Sequence, residues 1–166
     1  MSRIFLRKGE KNYLNLNKER NAENTDNEEY NCGGYAMGTL TWILLDSFEY
    51  RDDREIWDDE EFAEEIADEC VEEIIDYFEG LVRTINDFSE LKNDEYAVLF
   101  RISYDDDGYI DDYHFIKRHH DGHFTHKPGR SPVQNYIGDP LKGVWEHPFV
   151  DYNSKIHIFA VSNLLY

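Results

Sequence analysis

Residues 58–79 form a strongly acidic segment in which apolar residues recur every three or four positions. That spacing places the apolar residues in one stripe along an α-helix. The stripe consists of Phe62, Ala63, Ile66, Ala67, Cys70, Val71, Ile74, Ile75 and Phe78. The other positions include twelve Asp or Glu and neither Lys nor Arg, so burial of the stripe must offset repulsion between like charges. We therefore expect a helix packed on a core, ending at Gly80, with Cys70 as a small buried residue.

A second, more apolar helix is expected before it, in the segment YNCGGYAMGTLTWILLDSF. From Ala36 onward this segment is apolar enough to be a buried helix, and Asn31 or a neighbour could cap its start. Residues 14–30 are polar and rich in Asn and Glu, which predicts a long loop or an irregular lead-in.

The apolar pattern changes to that of β-strands after residue 94. The stretch EYAVLFRISYD predicts a strand that ends in the turn DDDG, and KIHIFAVSNLL predicts a final strand. Between them DYHFIKRH and HFTHK flank a turn, a pattern typical of a hairpin. The segment between the hairpin and the final strand holds all four prolines and predicts a long, partly ordered loop.

Helices that precede an antiparallel sheet indicate an α+β fold. The length favours a single domain over residues 1–166. We expect an irregular lead-in over 1–30, a helical part over 31–80 that contains Cys32, and a sheet part over 94–166 that contains His114 and His126.

The net charge of −19 decides which partners suit the chain. A surface this negative argues against direct binding to nucleic acid and favours high solubility or a basic partner. No apolar run has membrane-spanning length, and the first twenty residues lack the apolar core and cleavage site of a signal peptide. We therefore expect no membrane partner and a cytoplasmic location, where Cys32 and Cys70 should not form a structural disulfide.

Five of the seven histidines lie in the hairpin segment DYHFIKRHHDGHFTHKPG, residues 112–129. Because side chains alternate along a strand, the length of the turn decides which histidines share a face. A two-residue turn at Asp121-Gly122 would put His114 and His126 on opposite faces. A three-residue turn with Gly122 in the left-handed region would pair Ile116 with His126, and would make His114 and His126 diagonal neighbours roughly 7–8 Å apart.

The remaining three histidines, His119, His120 and His123, are expected in solvent around the turn, with a weak adventitious metal site as the functional alternative. His114 and His126 could be neighbours in the core or on the surface without any chemical role. A zinc centre built on them would need a third and a fourth ligand, which the sequence does not supply at familiar spacing. We therefore expect no metal and no cofactor.

Cys32 opens the motif NCGGYAMG at the predicted start of an apolar helix. There the helix dipole and the backbone N–H groups favour the thiolate, and the same N–H groups could hold a developing oxyanion. Gly33 and Gly34 would let a substrate or a neighbouring chain approach closely. Taken alone, Cys32 would be a buried helix residue. A cysteine at a helix start, a histidine on a later strand and a polar residue on the next strand nevertheless have the order needed for nucleophile, base and orienting group.

Cys32, His114 and His126, taken in that order, resemble the NlpC/P60-type branch of papain-like cysteine hydrolases. In that branch the cysteine opens a helix packed on an antiparallel sheet, and the histidine and a third polar residue come from adjacent strands. The segments NCGGYA and DYHFIKRHHDGHFTHKPG also resemble a group of uncharacterised bacterial and phage proteins. The resemblance covers these two motif regions, and it implies a bacterial cell or a phage-infected host.

The resemblance implies a papain-like fold and a peptidase or amidase that acts through a thioacyl-enzyme. Cys32 would attack as the thiolate, and His114 would take its proton and later protonate the leaving amine. His126 would orient the His114 ring, a role for which Asp112 or Asn135 are the alternatives.

Further residues would support these three. The backbone N–H of Cys32, with Asn31 or Tyr13, would stabilise the oxyanion. Gly33, Gly34 and Trp145 are expected to line the cleft that receives the peptide or amide substrate.

Two other functions are compatible with the same sequence. An inactive papain-like fold could bind a basic protein through the acidic helix face over 58–79, in imitation of nucleic-acid phosphates. Such a mimic should lose affinity steeply with added salt, which a hydrolase need not do. Acyl transfer, for example transglutamination, would use the same thiolate and pass the acyl group to an amine in place of water.

Overall fold

The computed structural model describes residues 3–4, 30–39, 42–49 and 60–165. Three α-helices lie in these ranges: α1 (Cys32–Ala36), α2 (Asp46–Glu49) and α3 (Glu60–Tyr77). The strands are β1 (Arg3–Ile4), β2 (Ile43–Leu44), β3 (Val82–Ile85), β4 (Glu95–Tyr104), β5 (Ile110–Arg118), β6 (Phe124–His126), β7 (Gln134–Asn135), β8 (Trp145–Glu146), β9 (Asp151–Tyr152) and β10 (His157–Ser162). Short 3₁₀ helices occupy Phe88–Glu90 and Asn163–Leu165.

Helix α3 confirms the acidic amphipathic helix predicted from the apolar spacing. Its predicted stripe faces the core, where Ile66, Cys70 and Ile74 are each exposed by no more than 1%. Gly80 follows the helix with φ +78°, a conformation that glycine adopts without strain, so the predicted stop is also confirmed. Cys32 and Cys70 are both buried, and they are not joined in a disulfide. In the described ranges no helix is long and apolar enough to cross a bilayer.

Helix α1 corrects the prediction of a helix running onward from Ala36. The helix begins at Cys32 with Asn31 as its cap, as predicted, but it ends at Ala36. Gly38 has φ +73°, which turns the chain out of the helix, and the apolar residues that follow form β2 and α2 instead. The apolar run is therefore buried in short elements rather than in one helix.

A six-stranded antiparallel sheet forms the centre of the fold, in the order β3-β10-β4-β5-β6-β7. Together with α1 and α3 it confirms the α+β class. The strands predicted over 95–105, 112–119, 123–127 and 155–165 correspond to β4, β5, β6 and β10. Strand β3 was not predicted from the sequence, because its four residues directly follow the helix and its glycine stop.

The sheet separates two apolar layers. The first packs the helices on one face of the sheet, and its members include Cys32, Met37, Ile66, Cys70, Ile74, Phe100, Tyr113, Phe115 and Phe159. The second lies on the opposite face, and its members include Leu99, Ile116, Trp145, Tyr152 and Ile158. His114 belongs to this second face, because its ring contacts Trp145 and Tyr152.

The segment predicted as a long loop is ordered by three two-residue strands, β7, β8 and β9. Arg101 of β4 holds part of it against the sheet, since its guanidinium donates to Ser154 O at 2.6 Å and to Gly143 O at 2.6 Å. The ring of Trp145 lies under this guanidinium at 5.4 Å. The loop therefore forms a fixed wall over the face of the sheet that carries His114.

Candidate active site

The hairpin of β5 and β6 has the register that a three-residue turn requires. Ile116 pairs with His126, and the His119 N–H donates to His123 O across the turn. Gly122 has φ +92°, as expected for the last position of such a turn. Of the two registers compatible with the sequence, this is the one that places His114 and His126 on the same face.

His114 and His126 form a direct hydrogen bond across the two strands. His114 Nε2 and His126 Nδ1 lie 2.8 Å apart, with the ring centroids 5.1 Å apart and the rings nearly perpendicular. Tyr152 stacks on His114 at a centroid distance of 5.1 Å, and Trp145 meets the same ring edge-on. These contacts fix the His114 ring, and His126 engages Nε2 but not Nδ1.

Burial keeps both imidazoles neutral near pH 7. It lowers the pKa of His114, which is 4% exposed, well below 6.5, and His126 and His147 lower it further. The pKa of His126 falls to about 4, by burial first and by His147 second. If His114 is to accept a proton at Nδ1, its Nε2 must carry the hydrogen and donate it to His126 Nδ1.

Cys32 approaches β5 from the opposite side of the sheet. The thiol points at the backbone of β5, where it makes a long contact of 3.9 Å with Tyr113 O, and the Phe115 N–H also interacts with the sulfur. Strand β6 pairs with β5 at residues 116–118, so the sulfur lies along β5 just beyond the last pair. Cys32 and His114 thus come from opposite faces of the sheet and lie near the same edge of β5.

A cavity of about 360 Å³ at this edge brings the two residues together. Both Cys32 and His114 line it, and so do Asn31, Trp42, Leu44, Phe48, Asp112, Tyr113, Gly129 and Tyr152. Its walls are largely apolar and aromatic, and the side chain of Asp112 supplies a carboxylate. The cavity can therefore hold a small organic group against the thiol and its candidate base.

The ionisation of Cys32 differs from the sequence prediction. The position of Cys32 at the start of a helix was expected to favour the thiolate, but burial raises the pKa of Cys32 to about 12. Burial is the main cause and the charge of Asp112 adds to it, and together they outweigh the N–H groups of Phe115 and Gly33 and the charge of Lys127. Cys32 is therefore a neutral thiol at neutral pH and needs a base at the moment of attack.

The predicted supporting residues have structural partners of their own. Asn31 Oδ1 accepts from the N–H groups of Gly34 at 3.0 Å and Ile43 at 3.1 Å, and Asn31 Nδ2 donates to Ile43 O at 2.7 Å. Asn31 therefore ties α1 to β2 while it lines the cavity. Tyr13, the other predicted oxyanion donor, lies outside the described residues.

The side chains of the two alternative orienting groups, Asp112 and Asn135, make other contacts, although Asp112 lines the same cavity as His114. Asp112 accepts from the Tyr113 N–H at 2.8 Å and from the Tyr152 hydroxyl at 2.7 Å. Asn135 is exposed on β7, where it pairs with Thr125. His126 is the residue whose side chain bonds to the His114 ring.

The three residues predicted to line the cleft are placed differently. Gly33 and Gly34 are buried in α1. A Cβ on Gly33 would lie 3.0 Å from the Phe115 ring, so the absence of a side chain at this position lets α1 pack closely on β5. Trp145 is 1% exposed and donates its indole N–H to Pro140 O at 2.8 Å. Its ring packs edge-on against His114, and neither Trp145 nor the two glycines line the cavity that contains Cys32.

The turn histidines form a separate group at the far end of the hairpin. The rings of His119 and His123 stack with centroids 4.1 Å apart, His119 Nε2 bonds to Thr125 Oγ1 at 2.6 Å, and His123 bonds to Asp121. His120 is exposed. Within the described ranges, no group of three or more His, Cys, Asp or Glu side chains is arranged to hold a metal ion.

Sequence reasoning missed Tyr152, Lys127 and a second cavity. Tyr152 lies on the two-residue strand β9, which is too short for its residue spacing to indicate its place. Lys127 follows His126 directly, and strand alternation alone would have sent it to the Cys32 side of the sheet. The second cavity, of about 690 Å³, is lined by His126, Tyr136, His147 and the edge strand β7. The His114–His126 hydrogen bond thus connects the Cys32 cavity with this larger one.

Comparisons with protein-family models, with curated proteins and with solved structures found no match to the chain. The chemistry of the site therefore rests on its own geometry. The site contains the Cys32 thiol, the neutral His114 imidazole in the same cavity, and His126 bonded to the far nitrogen of His114. This set of groups is suited to removing the thiol proton during nucleophilic attack.

Proposed function

We propose that the protein is a cysteine hydrolase that cleaves an amide or peptide bond through a thioacyl-enzyme on Cys32. The observation that carries the proposal is the shared cavity: Cys32 and His114 line it together, while His126 occupies the far nitrogen of His114. His114 is neutral at pH 7 and is held in one orientation in the same cavity as the thiol, so it is able to accept a proton as a general base.

The thiol and the imidazole react together in the proposed mechanism. His114 Nδ1 takes the thiol proton as the sulfur attacks the carbonyl carbon, because the raised pKa of Cys32 leaves little thiolate beforehand. The imidazolium then protonates the leaving amine, and a water activated by the regenerated imidazole hydrolyses the thioester. The Cys32 N–H is the proposed oxyanion donor, because it lies at the start of α1.

The same residues support a papain-like arrangement of the fold. A helix that begins at the cysteine packs on an antiparallel sheet, and two adjacent strands of that sheet supply the histidines. The helix is short, and the sheet reaches it through the Gly33–Phe115 contact.

Acylation of Cys32 by p-nitrophenyl acetate tests the proposal. A Cys70→Ala background leaves one thiol, and mass spectrometry then identifies the acetylated residue. We expect a burst of nitrophenolate equal to the protein concentration, lost in Cys32→Ala and slowed by a factor of about 10² or more in His114→Ala. Retention of the burst in Cys32→Ala, or equal rates with and without His114, would contradict the proposal.

The acidic face of α3 favours a second candidate function, the binding of a basic protein. Six acidic residues are exposed on the helix and a seventh, Glu79, directly follows it; the six are Glu61, Glu65, Asp68, Glu69, Glu72 and Asp76. Glu64 and Glu73 have internal roles instead, because they accept from the backbone N–H groups of Lys155 and Ser47. A basic polypeptide such as polylysine should bind with an affinity that falls steeply from 50 to 300 mM salt, and reversing the charges of Glu65 and Glu72 should weaken the binding and its dependence on salt. Binding unaffected by this reversal would exclude the face.

A further inference from the structure

Lys127 is a fully buried lysine directly after His126 in the chain. Its side chain has 0% exposure, although lysine is among the residues least often buried completely. Because successive side chains of an extended segment point to opposite faces, His126 and Lys127 serve opposite sides of the sheet. His126 faces His114, and Lys127 lies on the side that carries α1.

The contacts of the Lys127 ammonium connect it to the Cys32 cavity. Nζ donates to Gly129 O, and Gly129 lines that cavity together with Cys32. Nζ also lies 5.1 Å from the ring centre of Tyr30, which precedes Asn31 and the start of α1. The ammonium is thus held between the segment that ends at Gly129 and the segment that leads into Cys32.

The directions in which the pKa values of Lys127 and Cys32 influence each other agree with this placement. Burial lowers the pKa of Lys127 to about 8, and the Cys32 charge opposes that change. Lys127 in turn lowers the pKa of Cys32, against the larger effect of burial. A buried cation is a strong influence on a nearby developing anion, because little water screens the two charges.

We propose that Lys127 is a positioning residue whose ammonium stabilises the negative charge that develops on the Cys32 sulfur during nucleophilic attack. The inference rests on the proposed role of Cys32 as the nucleophile. It answers a difficulty in that role, since His114 and His126 are neutral and the carboxylate near the sulfur, Asp112, opposes the charge. Lys127 supplies the positive charge that the histidine pair lacks.

Alkylation of Cys32 by a neutral and by an anionic reagent of similar size tests the charge of Lys127 separately from its packing. Iodoacetamide and iodoacetate are compared in the Cys70→Ala background at pH 7.5. In Lys127→Met, which retains an unbranched side chain as far as Cε and removes the ammonium, we expect the iodoacetamide rate to fall about tenfold, equivalent to one pKa unit of the thiol. The ratio of the iodoacetate rate to the iodoacetamide rate should fall several-fold as well, and Lys127→Arg should restore it.

Lys142→Met is the matched control, because it removes the same charge from an exposed lysine that lines the second cavity. It should leave both rates and their ratio unchanged. If Lys127→Met changes both rates in proportion, the role of Lys127 is structural and the proposal is wrong. No change in either rate would overturn it equally.

Comparison of the unmodified protein with N-acetylcysteine tests the role of Lys127 without any variant. Comparison of His114→Ala with Lys127→Met separates this role from the proposed hydrolase. The unmodified protein should show a higher iodoacetate-to-iodoacetamide ratio than N-acetylcysteine, despite the net charge of −19, and a lower ratio would overturn the inference even if Lys127→Met does not fold. A loss of rate in His114→Ala without any effect of Lys127→Met would reject Lys127 alone. An effect of Lys127→Met without one of His114→Ala would reject the proposed hydrolase and retain the charge interaction, and inert Cys32 would reject both.

Discussion

His114 Nε2 and His126 Nδ1 are joined by a hydrogen bond of 2.8 Å, and both imidazoles are neutral near pH 7. An imidazole differs from a carboxylate as an orienting group, because it fixes the ring of its partner without stabilising the imidazolium by full opposite charge. The pair also joins two cavities, since His114 lines the one with Cys32 and His126 lines the larger one. Orientation is therefore the main contribution we expect from His126.

Replacement of His126 should distinguish orientation from packing. In His126→Ala the His114 ring loses its partner, and we expect acylation of Cys32 by p-nitrophenyl acetate to slow by about 10²-fold, the effect of a misplaced catalytic group. His126→Gln can accept the Nε2 hydrogen through its amide oxygen and should recover a large part of that rate.

His120→Ala is the control, because His120 is exposed at the turn of the same hairpin. It should acylate at the rate of the unchanged protein. Equal rates for His126→Ala and the unchanged protein would show that the histidine pair does not orient the base.

Acid should destabilise the fold through the same two histidines. Their pKa values lie below 6.5 in the folded protein, that of His126 at about 4, so the unfolded chain binds protons more readily. The stability they contribute is complete above about pH 6.5 and is lost as the pH falls toward 4. Urea denaturation at a series of pH values should show a fall in the free energy of unfolding across this window.

A His114→Gln, His126→Gln double variant should have a weaker pH dependence over that window. Part of the dependence will remain, because burial also lowers the pKa of His157. An unchanged slope between pH 6.5 and 4 would show that these imidazoles are not buried in neutral form.

Gly33→Ala should destabilise the contact between α1 and β5. The added methyl would lie 3.0 Å from Phe115 Cε2 and 3.1 Å from Ile43 Cβ, both too close. Overpacking of this kind costs about 1–3 kcal/mol. Chemical denaturation should show that Phe115→Leu, which makes room, offsets part of this cost in the double variant; strictly additive losses would mean that the two residues do not meet as described.

Asn31→Ala should lower stability by about 1–2 kcal/mol or more, because it removes the cap of α1 and two further hydrogen bonds to Ile43. Asn93 is exposed and provides the comparison: Asn93→Ala should change the free energy of unfolding by less than about 0.5 kcal/mol. If the two variants unfold at the same urea concentration, Asn31 does not hold α1 to β2.

Residue spacing and turn residues predict those parts of the fold that depend on neighbouring residues in the chain, namely α3 and the β5–β6 hairpin. The long stripe of α3 has enough repeats to be recognised, and Gly122 favours the turn that sets the register of β5 and β6. The helix predicted from Ala36 ends early because Gly38 adopts a left-handed conformation, and an apolar run alone does not show where such a turn occurs. Strands of two to four residues, such as β3 and β8, carry too few alternations to be identified.

The candidate site follows the same division. The relation between His114 and His126 could be predicted because the turn and the strand period determine it. The ionisation of Cys32 could not, because burial by elements distant in the chain outweighs the effect of the helix start. Tyr152 was missed because its place depends on tertiary packing. Strand alternation indicates the face of Lys127, but its burial next to the cavity also depends on tertiary packing.

Gly122 lies at the turn, away from the Cys32 cavity, yet its conformation sets the register in which β6 pairs with β5. Removing one residue from the turn would shift this register by one residue, so that His126 and Lys127 would exchange faces of the sheet. The ammonium would then face His114, and the imidazole would face α1. A deletion in the turn would therefore move each side chain of β6 to the other face of the sheet, although no residue of β6 itself is changed.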